Sequence, residues 1–258
     1  MSKLVFTLVL ILSICSCVSK KKLTYFQSTK FQKNIPTLIE NKSPQYKIQP
    51  NDILSIRVVS NLDNTTPNIF NSDAASAGGG INPAANFYVN GYSVDNMGFV
   101  NIPTIGRLKV IDQTINQVTT LVQQNVDKYL NNATIIIKLV SFKVSVLGDV
   151  RSPGYYYIYN EQATLPEVLA LAGDLTQNGS RKNIKLIRQK SNGMEVVLLD
   201  LTDPNLIKSP YYYLLPNDIV YIQPLKAAIS RSNLAPLGTF FGAVSAVILV
   251  LNYFNPNR

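Results

Sequence analysis

The chain has 258 residues, enough for one large domain or two small ones around a sizeable core. It is 46% hydrophobic and 15% charged, with 24 Lys+Arg against 15 Asp+Glu and a formal net charge of +9. There is no histidine, and the two cysteines, Cys15 and Cys17, both lie in the first seventeen residues. The body therefore excludes a disulfide, a thiol nucleophile, a Cys/His zinc site and a histidine proton shuttle.

Residues 1–16 read as an export signal, with Lys3 as the positive region and Leu4 to Ile14 as an uncharged apolar run. That run is short of the ~20 residues a bilayer-spanning helix needs. Ile14-Cys15-Ser16-Cys17 resembles the bacterial lipobox, which predicts cleavage before Cys17 and lipidation of its thiol. Val18 follows Cys17 in place of the Asp that resembles an inner-membrane retention signal, so delivery to the outer membrane is expected. Residues 17–45 form a polar, basic tether with Lys20, Lys21, Lys22, Lys30 and Lys33, suited to lie beside anionic headgroups.

The folded body begins at Tyr46. Turn residues Pro50-Asn51-Asp52 lead into a strand carrying Ile53, Leu54, Ile56, Val58 and Val59. Residues 60–86 are rich in Asn, Ser, Ala and Gly and read as a long loop; they lack the Lys-Ser/Thr ending of a phosphate-binding loop. Short strands follow around 87–89, 99–102 and 107–110. Thr114-Ile115-Asn116-Gln117 is a capping box, and the helix it opens places Ile115, Val118, Val122, Val126 and Tyr129 on one face. Strands are expected over 134–140 and 142–147.

From Gly148 the pattern restarts: a turn through Pro153-Gly154, a strand over 155–159, and a second capping box at Thr164-Leu165-Pro166-Glu167. Strands over 183–189, 194–201 and 219–223 complete it. Strands with one helix thus recur twice, predicting an α+β chain of two small mixed domains, 46–142 and 143–228. A short repeat agrees with this: Tyr46 to Ile56 (YKIQPNDILSI) matches Tyr212 to Ile222 (YYLLPNDIVYI). Asp52 and Asp218 read as turn residues that bond nearby amides, not as catalysts.

Leu234 to Phe254 is uncharged and predicts a C-terminal membrane helix over 234–254. Gly238, Gly242, Ser245 and Asn252 fall on one face of it, either a helix–helix contact or a pore-facing stripe. A buried helix of a soluble fold is the alternative.

Tyr46–Val58 and the Gly98-to-Gly106 segment (GFVNIPTIG) resemble the polysaccharide export domain of Wza-like outer-membrane lipoproteins. Gly148, Val150, Pro153, Gly154, Thr164, Leu165, Ala172, Gly173 and Arg188, closed by Pro216-Asn217-Asp218, resemble a soluble-ligand-binding β-grasp (SLBB) module. The resemblance implies a homo-oligomeric ring, typically an octamer. It would export capsular or extracellular polysaccharide across the periplasm and outer membrane, with an inner-membrane polysaccharide co-polymerase as partner. The C-terminal segment is more uniformly apolar than a pore-lining helix, so docking on a separate outer-membrane barrel stays open.

The rival classes are weaker. No pair of placed carboxylates suits glycan cleavage, no nucleophile motif or metal-ligand cluster stands out, and no cofactor is expected. An exported lipoprotein has no call on nucleic acid, so the basic balance suits acidic polysaccharide or anionic lipid. Lys185 and Arg188, from the densest basic cluster, and Tyr155, Tyr157 and Tyr159, on one side of a strand, are the candidate polysaccharide or subunit contacts. A monomeric envelope lipoprotein that binds glycan or scaffolds a partner is the alternative function.

Overall fold

The computed structural model describes residues 24–60, 90–190, 192–226, 242–247 and 250. Within them lie short helices and mostly antiparallel strands gathered around two hydrophobic clusters, a mixed architecture as expected. Of the loop expected over 60–86, Ser60 instead ends the first strand, and its remainder and the strand expected over 87–89 lie outside the described residues.

The first cluster is built by β1 (Ile53–Ser60), β2 (Tyr92–Ser93), a hairpin of β3 (Phe99–Ile102) and β4 (Gly106–Lys109), helix α1 (Ile115–Val126) and β5 (Ala133–Leu139). β1 is the middle strand of a three-stranded antiparallel sheet, pairing with β5 from Leu54↔Leu139 to Ser60↔Ala133. Strand alternation sends Leu54, Ile56, Val58, Ile135 and Ile137 inward, where α1 covers them with Val118, Val122 and Val126. The Thr114 cap forms as read, with both halves of the capping box present. Tyr129, expected on the buried face, is instead exposed: the helix ends at Val126 with Asp127 as its cap, and Leu130 turns to the core in its place.

The second cluster is built by β6 (Lys143–Gly148), β7 (Gly154–Tyr157), β8 (Ala163–Thr164), helix α2 (Leu165–Leu171), β9 (Gly179–Lys190), β10 (Gly193–Leu199), β11 (Tyr213–Leu214) and β12 (Ile219–Pro224). The five-stranded sheet runs β10-β9-β12-β6-β7; only the β12–β6 pair is parallel. Val144, Val146, Ile184, Leu186, Val220 and Ile222 point to one face, where Leu165, Val168 and Leu169 of α2 meet them. The small ladder of β8 with β11, which had no sequence signal, ties the start of α2 to the segment before the second Pro-Asn-Asp turn.

Gly148 marks where the parallel pair turns. Its φ of +89° and a virtual Cβ 2.1 Å from the Ile222 carbonyl oxygen leave no room for a side chain. Gly148→Ala is expected to lower unfolding stability by more than about 1 kcal/mol, since both conformation and space oppose it. A shift of the urea midpoint without change of slope would register that loss.

Candidate functional site

The duplicated Tyr-to-Ile segments fold into the same turn twice. In each, Pro50 or Pro216 presets the first corner, and Asn51 (φ 70°) or Asn217 (φ 66°) takes the left-handed position. The aspartate then folds its side chain back: Asp52 Oδ2 accepts the Gln49 N–H at 2.9 Å, and Asp218 Oδ2 accepts the Leu215 N–H at 2.8 Å. Its carbonyl accepts from the neighbouring strand, Val94 N–H in one case and Ser145 N–H in the other. Both carboxylates are almost wholly buried.

Their surroundings differ. Asp52 accepts hydrogen bonds from the Tyr46 hydroxyl (2.8 Å) and from Ser141 (3.4 Å), whose oxygen also accepts the Ile53 N–H (3.0 Å). No cation is among these partners, so burial pushes the Asp52 carboxyl up, opposed by its three hydrogen bonds. Asp218 instead holds Arg188, with Nε 3.0 Å from Oδ1 and Nη2 2.7 Å from Oδ2. The same Nη2 donates to the Tyr213 carbonyl at 2.9 Å, and the guanidinium lies 5.5 Å from the Tyr211 ring centre. Burial pushes the Asp218 carboxyl up as well, with Arg188 pulling the other way.

Arg188, a candidate contact for an external ligand, is thus corrected to an internal brace. It is 5% exposed, and its Nε and Nη2 donate to Asp218 and the Tyr213 carbonyl. Sequence alone put it beside Lys185 in a basic cluster. Strand parity separates the two, turning Arg188 inward and Lys185 outward.

The outward face of the five-stranded sheet gathers the other candidates. One cross-strand row reads Tyr155, Ser145, Ile219, Ile187, Val196; the next reads Leu147, Tyr221, Lys185, Leu198. Tyr155 and Tyr157 meet edge to face with ring centres 5.9 Å apart, and Tyr159 lies just beyond β7. Lys185 Nζ sits 6.0 Å from the Tyr221 ring centre. Tyr155 is 62% exposed, Tyr159 74%, and Met194, Val196 and Leu198 between 55% and 62%. These β10 residues escaped sequence reading because Val197 and Leu199, of opposite parity, are equally apolar and mask the alternation.

The stretch before Tyr46 holds a clasp that the polar, basic composition gave no reason to expect. Phe26 and Gln27 donate backbone N–H groups to the Leu201 and Thr202 carbonyls, each at 2.8 Å. The Tyr25 hydroxyl donates to Asp174, and its ring lies under Arg181. Tyr25 and Phe26 pack on the second cluster, not the first.

Between the two clusters, Tyr46, Leu139, Phe142, Glu161, Tyr213 and Leu215 line a cleft of about 30 Å³, room for roughly one water and not for a sugar. Among the described residues no three His, Cys, Asp or Glu side chains are placed to hold a metal, and no helix is long and apolar enough to cross a membrane. Cys17, Gly238 and Asn252 lie outside the described residues, as does most of the 234–254 segment. Gly242 and Ser245 lie in a helical stretch, 242–247, whose residues are exposed.

Two outcomes follow from the paired turns. Arg188→Met strands the Asp218 charge and is expected to cost about 3–5 kcal/mol; adding Asp218→Asn, which keeps an acceptor for Leu215, recovers part of it. Chemical denaturation of both variants measures the recovery. For Asp52 the folded carboxyl titrates above the unfolded one, so the native state binds the extra proton between the two values. Stability from this group therefore rises as pH falls through that window and is lost as pH climbs out of it. Asp52→Asn should remove that component, seen as a flatter urea-midpoint profile just above the ordinary carboxylate range.

Residues 40–140 match the model of the polysaccharide biosynthesis/export protein family, and residues 143–198 match the SLBB domain. The chain is 30% identical over 156 residues to the EPS I polysaccharide export outer membrane protein EpsA of Ralstonia nicotianae, covering 57% of this chain and 39% of that one. To the protein of the same description from Ralstonia solanacearum it is 28% identical over 151 residues, covering 57% and 40%. The chain thus matches about two fifths of the length of these curated relatives. The first hydrophobic cluster lies in the export-family match, and the SLBB match covers the second sheet from β6 through nearly all of β10. The chain thus joins a domain of the polysaccharide biosynthesis/export family, over residues 40–140, to an SLBB domain over 143–198, the pairing that the resemblance to Wza-like export proteins implies.

Proposed function

We propose that this protein is a subunit of an oligomeric outer-membrane translocon that carries capsular or extracellular polysaccharide out of the cell. The observation that carries the reading is an export-family unit followed directly by an SLBB unit, in a chain similar to two proteins named as polysaccharide export outer membrane proteins. Its partners are further copies of itself in a ring, an inner-membrane co-polymerase, the polysaccharide, and outer-membrane lipid held through a lipidated Cys17. The segment 234–254 either enters the membrane, with Gly238, Gly242, Ser245 and Asn252 on its contact face, or docks on a separate barrel.

A transport role without catalysis suits the acidic side chains. Asp52 and Asp218 close turns, Asp174 accepts from Tyr25, and Asp95 staples Met97, Phe99 and Arg107. Each is spent on structure, where a glycan-cleaving site would need two that face a bound sugar. Exposed Tyr155 and Tyr159, with half-buried Tyr157 and Lys185 beside them, offer a face for sugar or for another subunit.

The test is deletion of the gene in its own host, followed by complementation. Loss of surface polysaccharide while precursors still accumulate, restored by the wild type and not by Cys17→Ser, is the expected result. Normal surface glycan in the deletion strain would overturn the export reading. Fatty-acid labelling that persists in Cys17→Ser would overturn the lipid anchor alone.

A further inference from the structure

The second sheet ends on two bare edges. Among the described residues β10 pairs only with β9, and β7 only with β6. Natural edge strands are guarded by charge, proline or a covering segment, because unpaired amides and carbonyls are a template for another strand. β10 lacks that guard on its outward side, where Met194, Val196 and Leu198 stand in a row. Its one acidic group, Glu195, has the opposite parity and is held by Tyr211 (2.8 Å) and Lys190 (3.4 Å). The clasp at Phe26 and Gln27 meets Leu201 and Thr202, just past β10, and among the described residues the backbone of 193–199 pairs with β9 alone.

The opposite edge carries a matching surface. Val196 and Tyr155 are the two ends of a single cross-strand row, so an outward row, apolar or aromatic except at Ser145, runs from one edge to the other. The strand directions fit as well. β10, β12 and β6 run one way and β9 and β7 the other. A second copy set beside the first in the same orientation therefore brings its β10 antiparallel to β7, the pairing with perpendicular backbone hydrogen bonds.

We propose that β10 of one copy adds to β7 of the next, so that the five-stranded sheets join head to tail and the outward stripe continues as Val196 beside the neighbour's Tyr155. This rests on the oligomeric reading above and names its contact. The occupant is a second copy because the chain itself supplies both halves: an unguarded apolar edge and an aromatic edge of the same sheet, in compatible direction. A head-to-tail contact repeats around a closed ring and leaves no edge unpaired, whereas joining β10 to β10 makes a dimer and leaves β7 bare at both ends.

At each junction one copy brings Met194, Val196 and Leu198 of β10 and the next brings Tyr155 of β7, so exposed apolar side chains of the two edges flank the paired backbones. The outward lysines, Lys143 and Lys185, lie on the strands next to the edges, so neither faces its like directly across the junction.

The experiment uses the full-length chain in mild detergent. Val196→Cys and Tyr155→Cys are made separately in a chain whose described body holds no other cysteine, then mixed and oxidised. A disulfide formed in the mixture and absent from either variant alone is expected. Val196→Lys, an exposed position that folding tolerates, should weaken assembly about tenfold or more by native mass. A disulfide in Val196→Cys alone would overturn the head-to-tail arrangement in favour of a two-fold dimer. A wild type that assembles, with no cross-link and no effect of Val196→Lys, would overturn this contact and leave the oligomeric reading standing. A monomeric wild type would overturn both.

Discussion

A carboxylate folded back onto its own turn is what the architecture leans on. Pro-Asn-Asp alone closes a tight corner, but Asp52 and Asp218 also place a buried negative charge at the base of a central strand. A buried charge must be met, and how it is met decides what else the chain has to assemble. Around Asp52, hydroxyls from Tyr46 and Ser141 converge, and Ser141 sits in the short link between the two clusters. Around Asp218, Arg188 reaches across from β9 and at the same time holds the Tyr213 carbonyl at the end of the β8–β11 ladder. Two copies of one turn thus fix, respectively, the connection between units and the register inside the second.

The same economy explains how the two units meet. Leu139 packs against both clusters, Phe142 begins the second core, and the residues between them are bonded to β1 through Ser141 and the Val140 N–H. The cleft left at the seam is too small for anything but solvent. Among the described residues the candidate contacts, Tyr155, Tyr159 and their neighbours, accordingly lie on an outer face and not in that cleft.

Much of this was legible in the residues. The repeat around Pro-Asn-Asp, both capping boxes, the α1 stripe of Val118, Val122 and Val126, and most strands follow from turn chemistry and periodicity. Long-range pairing was not. Nothing local tells that Arg188 turns to a carboxylate thirty residues on, or that residues 163–164 find 213–214; those contacts exist only once strand order sets them side by side. The Tyr25–Gln27 clasp hid for a similar reason, since two aromatic residues in a lysine-rich stretch carry no period. Lys185 and Arg188 looked alike as charges and differ by strand parity, which a shift of one residue in register would have reversed.

For a chain anchored at Cys17 as proposed, the clasp would set where mechanical load enters the molecule: Tyr25 is the eighth residue after Cys17, a reach of at most about 26–29 Å. Tension from the bilayer is then taken up at Leu201 and Thr202 and passed into the SLBB sheet, before it can reach the long stretch leading to Tyr46. The export-family unit hangs downstream of that mooring point. In that arrangement the unit is held by its neighbour in the fold and not by the lipid, so load would reach it through the bonded seam at Leu139, Val140 and Ser141.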